Sequence, residues 1–432
     1  MIHQPPIVLF DDDRGRFGPL TALRAVFELR TGRDTILQRH RDHFDSRLAG
    51  VWVPPRLATL VAERAPCPVN ALPTADCVTL LNGRMLLPDE IELPPPGSAL
   101  VVTESDRPTV VAATLTIEQA ERLLSRAGES PADDAPGAWS GAWPGAWPGA
   151  WSGAELAELK TEAWSGTLPT RPWHLLDRID DCIRHDLHAR RYSTAVDPPA
   201  GTTLLRGEPI VIDATARLCP GVTIDSEHGP VLVGEGALVR PGAVLCGPCV
   251  VGANSVVAEQ AVIRARTIIG PRCKVGGEIS GCIFLGCANK VHDGFLGDSI
   301  VGEWVNLGAG TVGSNLLNTY GETTMRLEPD GPRERTGRAF LGAVIGDHVK
   351  TAIGTRLMTA TAIGMGAMIA VATPPPTTVP AFAWMTDDGT RTYRLDRFLD
   401  TMTRVMARRN ETPSAALIAA VTALHATAAE PV

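Results

Sequence analysis

The sequence predicts an α/β domain, then a parallel β-helix, then a helical cap, and three observations lead there. Short β-branched runs alternate with helix-compatible segments in the first part of the chain. Branched aliphatics then recur every six residues, a period that neither a helix (3.6) nor a strand (2) produces. Helical spacing returns near the C-terminus. At roughly 150 residues per domain, 432 residues allow two to three domains. The 44% hydrophobic and 20% charged content excludes a wholly disordered chain.

In order, IVLFDD (7–12), VWVP (51–54), CVTLLNG (77–83) and ALVVTES (99–105) read as strands, with PLTALRAVFELRTG and RLATLVAERA as helical candidates between them. Residues 137–153, GAWSGAWPGAWPGAWSG, place a Trp every four residues in a Gly/Pro/Ser setting that suits a linker better than helix or strand, a Trp-lined binding strip being the alternative. RPWHLLDRIDDCIRHDLHARR (171–191) reads as a connecting helix with Pro172 in its first turn. Ile212, Leu218 and Ile224 then begin the six-residue phase, Val233 to Val275 hold it over eight stations, and Ile345, Leu357, Ile363 and Ile369 resume it. Three such units close one coil, with the aliphatics stacked on the axis at about 1.5–3 kcal/mol each. The stretch from Ala381 reads as a loop and two helices covering the open β-helix end. The expected boundaries are 1–136 (α/β), 137–170 (Gly/Trp/Pro-rich linker), 171–207 (connecting helix and linker), 208–375 (β-helix) and 376–432 (loop and helices).

A net charge of −8 argues against broad nucleic-acid or anionic-membrane binding. The start MIHQPPIVLFDDDRGR puts acid where a secretory signal needs a basic head, and no run of 18 apolar residues occurs, so a soluble cytoplasmic protein is expected. Nine scattered cysteines form neither a disulfide framework nor a four-ligand zinc pattern, and Cys246 and Cys249 read as small packing residues. Lysine occurs only at 160, 274, 290 and 350.

The hexapeptide pattern resembles the left-handed β-helix acyltransferases, in which crevices between the subunits of a trimer hold acyl-CoA and acceptor. The zinc carbonic anhydrases built on similar coils need convergent histidines, and His228, His292 and His348 are too dispersed for that. The phase breaks over 276–344, which contains GGEISGCIFLGCANKVHDGFLGDSIVGEWVNLGAGTVGSNLLN. Glu278, His292 fourteen residues on, Gly297-Asp298, Asn306 to Thr311 and Asn315 keep the order and spacing of a family motif. By these residues the chain resembles the bifunctional glucosamine-1-phosphate acetyltransferase and N-acetylglucosamine-1-phosphate uridyltransferase family.

Amide formation from an amine and a thioester needs a base, because only the free amine attacks, and a histidine titrating at roughly 6.5 accepts that proton at neutral pH. The resemblance implies that base at His292, a reactant-orienting role for Asn315, a sugar contact for Glu278, and close approach of the acetyl-CoA pantetheine arm at Ala309 and Gly310. Three family contacts are missing: a phosphate-binding lysine is Ser280, and two tyrosines are Phe295 and Leu316. Arg240 matches a family phosphate-binding arginine, although an extra coil separates it from Glu278; Arg240 and Phe295 are the substrate-binding candidates, with Arg326 as a compensating cation.

The N-terminal LFDDDRGRFGPLTALRAVFEL more faintly resembles the sugar-phosphate nucleotidyltransferases through Gly15, Arg16 and Pro19-Leu20-Thr21. Arg16 and Arg24 are its candidate contacts to a nucleoside triphosphate. Where that family carries a Gly-Asp metal ligand, LLNGR carries Gly83-Arg84; magnesium is a candidate cofactor there only if other carboxylates, such as Asp11 to Asp13, supply ligands. The expected activity is acetyl transfer from acetyl-CoA to an amino-sugar phosphate by a homotrimer. The alternatives are a sugar-1-phosphate nucleotidyltransferase using the β-helix as a trimerisation module, or a non-catalytic sugar-nucleotide-binding regulator.

Overall fold

The computed structural model describes residues 4–104, 107–125, 156–189 and 195–428; the Trp repeat at 137–153 lies outside them. The chain forms two units, one made of residues 1–16, 23–29 and 34–171, the other of 17–22, 30–33 and 172–432.

In the first unit a six-stranded sheet comprises β1 (Ile7–Phe10), β2 (Leu48–Trp52), β3 (Cys77–Asn82), β4 (Ser98–Glu104), β5 (Arg107–Thr116) and β6 (Lys160–Ala163) in the order β2-β1-β3-β5-β4-β6. β1 lies between β2 and β3 and is parallel to both, whereas β5 runs antiparallel to β3 and β4. The four residues of β1 are buried, as expected of a central parallel strand whose two faces are covered. Helix α1 (Ile36–Phe44) starts at a capping box in which Thr35 Oγ1 accepts the Gln38 amide and Gln38 Oε1 accepts the Thr35 amide. Helix α2 (Pro55–Ala62) begins on a proline, and α3 (Ile117–Ser125) follows β5.

The helix expected over 19–32 is replaced by two 3-10 turns, Gly18–Thr21 and Val26–Glu28. Side chains take the amides there: Asp11 Oδ2 accepts the Val26 amide at 2.8 Å and Glu28 Oε2 accepts that of Ala25 at 2.9 Å.

In the second unit, helices Pro172–Asp177 and Ile179–Ala189 precede a parallel β-solenoid with three faces. The first face runs from Arg217–Leu218 through Leu238–Val239, Val256–Val257 and Lys274–Val275 to Asn289–Lys290. The second runs from Thr203–Leu205 to Phe295–Gly297, and the third carries Ile210–Asp213 through Thr378–Val379. Val233, Val239, Leu245, Val251, Val257, Ile263, Ile269 and Val275 all sit in one buried core on the axis.

The six-residue count fails after Val275 because corners shorten. Val275 pairs with Lys290 and Ile279 with Leu296, so one corner spans four residues between inward stations where the next spans six. Ile300–Val301 pairs directly with Val344–Ile345, so 302–343 contain a further coil and a long excursion holding the small hairpin Thr324–Met325/Glu334–Arg335. The C-terminal stretch read as a loop is a β-hairpin, Ala383–Thr386 with Gly389–Thr392, which joins the ladder at Met368–Ala370. Helices Leu395–Ala407 and Ala415–Thr427 follow. Phe398 packs edge-on to Phe382 and Tyr393. Among the described residues no helix is long and apolar enough to cross a membrane.

Candidate active site

In the solenoid, His292 lies on the corner between Asn289–Lys290 and Phe295–Gly297, with its side chain exposed. A Cβ on Gly294 would stand 2.3 Å from the Thr311 carbonyl, so this corner lies directly against the Gly308–Thr311 corner of the next coil. Small residues are obligatory there: a Cβ on Gly308 would meet Ala352 backbone at 2.5 Å, and Gly310 has φ +70°. The structure thus puts His292, Ala309 and Gly310 on adjacent rungs of one edge.

Glu278 and Phe295 face each other in register on neighbouring strands. At the far end of those strands Asn315 Nδ2 donates to Asp298 Oδ2 at 2.7 Å, while Arg338 reaches Asp298 Oδ1 at 3.2 Å and also pairs with Asp177. Burial pushes the Asp298 carboxyl above its ordinary range, against the pull of Asn315 and Arg338. An atom built on Gly297 would touch both the Phe295 ring and Asn315 Nδ2, so the ring extends toward the amide.

Arg240 is not brought to this group. Main-chain bonds align it with Ala258, Gly276 and Val291 on successive rungs, so at 4.7–4.9 Å per rung it stands about 14 Å from the His292 corner. Its guanidinium is paired with Glu259 at 2.6 Å. Arg264, which lies outside the spaced motif, occupies the nearer place and pairs with Glu278 at 2.8 Å; its sequence signal is only that it follows the inward Ile263. Arg326 donates to the Pro329 carbonyl within its own loop. In the sequence Asp298 is visible only as a motif residue, and Arg338 carries no signal beyond its place in a loop.

Cys246 and Cys249 are free thiols. Cys249 is fully buried, and that burial pushes its thiol far above the ordinary range.

In the first unit, the ends of the parallel strands β1 and β3 bring Asp11–Asp13 beside Asn82–Arg84. The Arg84 side chain is 0% exposed and donates to Asp12 Oδ2 at 2.6 Å and to both oxygens of Glu104 at 2.8 and 2.9 Å. Asn82 Nδ2 adds a bond to Asp12 at 2.9 Å. Burial opposes ionisation of Asp12, but the Arg84 charge and these bonds hold its carboxyl below the usual range. Among the described residues Asp11 accepts the backbone amides of Val26 and Asp13; burial, with the charge of Asp13, raises it to about 7. Asp13 is bound by Arg56 at 2.6 and 2.9 Å.

A magnesium ion does not fit this arrangement. A guanidinium fills the space between the carboxylates that would ligate it, and among the described residues no three His, Cys, Asp or Glu side chains are grouped to hold a metal. Arg24 is 4% exposed, and the Arg16 amide donates to the Thr170 carbonyl at 2.9 Å.

Comparison with known proteins agrees with both halves. Residues 7–192 match the family described as sugar nucleotidyl transferase, and residues 230–265 match the bacterial transferase hexapeptide repeats. A bifunctional sugar-1-phosphate nucleotidylyltransferase/acetyltransferase of Sulfurisphaera tokodaii is 32% identical over 143 residues, 33% of this chain and 35% of that protein. The bifunctional protein GlmU of Methanococcus vannielii is 33% identical over 137 residues, 32% of this chain and 27% of that protein. GlmU of a Cyanothece species is 27% identical over 181 residues, 37% of this chain and 39% of that protein. The matched stretch therefore spans between about a quarter and two-fifths of these relatives' length. The chain thus carries a nucleotidyltransferase-like α/β domain followed by a hexapeptide-repeat β-solenoid.

Proposed function

We propose that this protein is an acetyl-CoA-dependent N-acetyltransferase acting on an amino-sugar phosphate, with His292 as general base. The observation that carries the reading is the exposed His292 on a corner stacked against Gly308–Thr311, whose exposed Gly310 has no side chain to keep a pantetheine arm from the backbone. His292 takes the proton as the acceptor amine attacks the thioester carbonyl; the C–N bond forms, the C–S bond breaks, and CoA leaves as the thiol. Asn315, with its amide nitrogen bound to Asp298, keeps its carbonyl oxygen for the reactants. Glu278 and Arg264 contact the sugar phosphate, and Arg240 does not.

Three copies assemble through the solenoid, so that a neighbouring subunit completes the crevice at His292. The protein works in the cytoplasm, where acetyl-CoA and sugar phosphates are available. The test supplies acetyl-CoA with a panel of amino-sugar phosphates, glucosamine 1-phosphate first, and measures free thiol, with light scattering on the same sample. Acceptor-dependent thiol release from a trimer supports the reading. No release with any amino sugar, or an acetyl-CoA-binding monomer, rejects it.

The buried Arg84 network favours a second statement about residues 7–192: this domain binds a sugar nucleotide or nucleoside triphosphate without transferring the nucleotidyl group. The alternative, nucleotidyl transfer with the β-solenoid serving only to trimerise, requires robust pyrophosphate release.

A further inference from the structure

Lys290 stands in the aliphatic axis of the solenoid, in the column formed by Leu218, Val239, Val257 and Val275, and it is 2% exposed. An ammonium stem in such a column forfeits apolar packing and desolvates an amine, a combination a protein core tolerates only when the amine is bonded. Its Nζ donates to the carbonyls of Gly276 at 3.2 Å and His292 at 2.9 Å.

The reason for these bonds lies in the unequal corners. In the coils below, the carbonyls of Arg240 and Ala258 accept the amides of Ala243 and Ala261 three residues on, which closes each turn. The corner from Val275 to Ile279 is two residues too short for that turn, and at Gly276 the Lys290 amine takes the carbonyl instead. The longer Lys290–Leu296 corner then rests on a shorter one, and the same amine holds its carbonyl at His292 from inside the prism.

We propose that Lys290 is a positioning residue, fixing through the carbonyls of Gly276 and His292 the corner that presents the His292 imidazole. This rests on the reading of His292 as the base. Burial lowers the Lys290 ammonium to about 8, yet a neutral amine still has two N–H groups for two carbonyls, so the grip survives deprotonation.

The test uses the full chain with Lys290→Met and Lys290→Leu, both of which restore an apolar side chain to the column, and His292→Ala as the reference. Expected for both lysine variants are an unchanged or higher melting temperature, acetyl-transfer turnover at least about tenfold lower at unchanged acceptor KM, and faster hydrogen exchange at the amides of 291–295. Turnover within about threefold of wild type with unchanged exchange overturns the proposal. A parallel fall of melting temperature and turnover in both variants also overturns it, since Lys290 would then be a structural plug. Full activity in His292→Ala rejects the reading of the base itself and the role of Lys290 with it; a dead His292→Ala beside active lysine variants rejects only the latter.

Discussion

The Arg84 guanidinium and the Asp12 carboxylate meet at 2.6 Å with side-chain exposures of 0% and 1%. Removing one partner of such a pair leaves the other charged and unpaired in a dry site. Arg84→Ala should therefore destabilise the N-terminal domain by about 3–5 kcal/mol, read as an earlier urea transition. Restoring the family's acid with Arg84→Asp should be no milder, because three carboxylates would then face one another. In the wild-type protein, magnesium with any nucleoside triphosphate should give weak or no pyrophosphate release. Brisk magnesium-dependent turnover, lost in Arg16→Ala or Arg24→Ala, would show that arginines have taken over a working site.

His292→Ala should leave the assembly and its acetyl-CoA affinity in place while turnover falls on the order of 100- to 10,000-fold with little change in acceptor KM. A variant within about threefold of wild type, below roughly 1 kcal/mol, would show that the base lies elsewhere.

Asp298 holds Asn315 by its amide nitrogen, so Asp298→Ala frees that amide to rotate and offer either end to the reactants. Turnover should drop by about tenfold, roughly 1.4 kcal/mol, and adding Asn315→Ala should cost much less than the product of the two single effects. Strict additivity in the double-mutant cycle would separate the two residues.

Two lysine amines held on main-chain carbonyls give the solenoid a rising stability toward alkaline pH. Burial lowers Lys290 to about 8 and Lys350 to about 7, from an ordinary 10.5; Lys350 donates to the carbonyls of Trp304 and His348, both at 2.9 Å. Between these values and 10.5 the unfolded chain binds more protons than the folded one, so unfolding free energy increases with pH across that window and is flat with respect to these groups below it. Lys350→Met should remove much of the slope between pH 7 and 10 in denaturant titrations. An unchanged slope would mean that Lys350 is not proton-depleted in the folded protein.

The axis of the prism could be read from the chain because its stations are uniform: Val233 to Val275 are all 0–1% exposed, where the six-residue count put them. Beyond Val275 the inward residues are Ile279, Phe284, Lys290 and Leu296, and counting fails for two physical reasons. Corners can lose residues without breaking the ladder, and a lysine can occupy an aliphatic station when carbonyls await its amine. At the site, His292, Glu278 and Asn315 were legible as a spaced motif. Arg264 was not, because an ion pair between neighbouring rungs depends on register, and Glu104 meets Arg84 only through the antiparallel β4–β5 pairing. The helix expected over 19–32 failed because Asp11 and Glu28 capture its amides.

The direct pairing of Val301 with Ile345 makes the ladder indifferent to what the chain does between them. A segment may leave one rung, fold over the outside and return to the next, and the axis records no interruption. Loop closure grows only logarithmically with length, about 0.6 kcal/mol per doubling, so the excursion bearing Asn315 and Arg338 behaves as an exchangeable cassette on a fixed spool. Under the proposed activity, new acceptor specificity would come from rewriting the cassette alone, while the spool keeps folding as before.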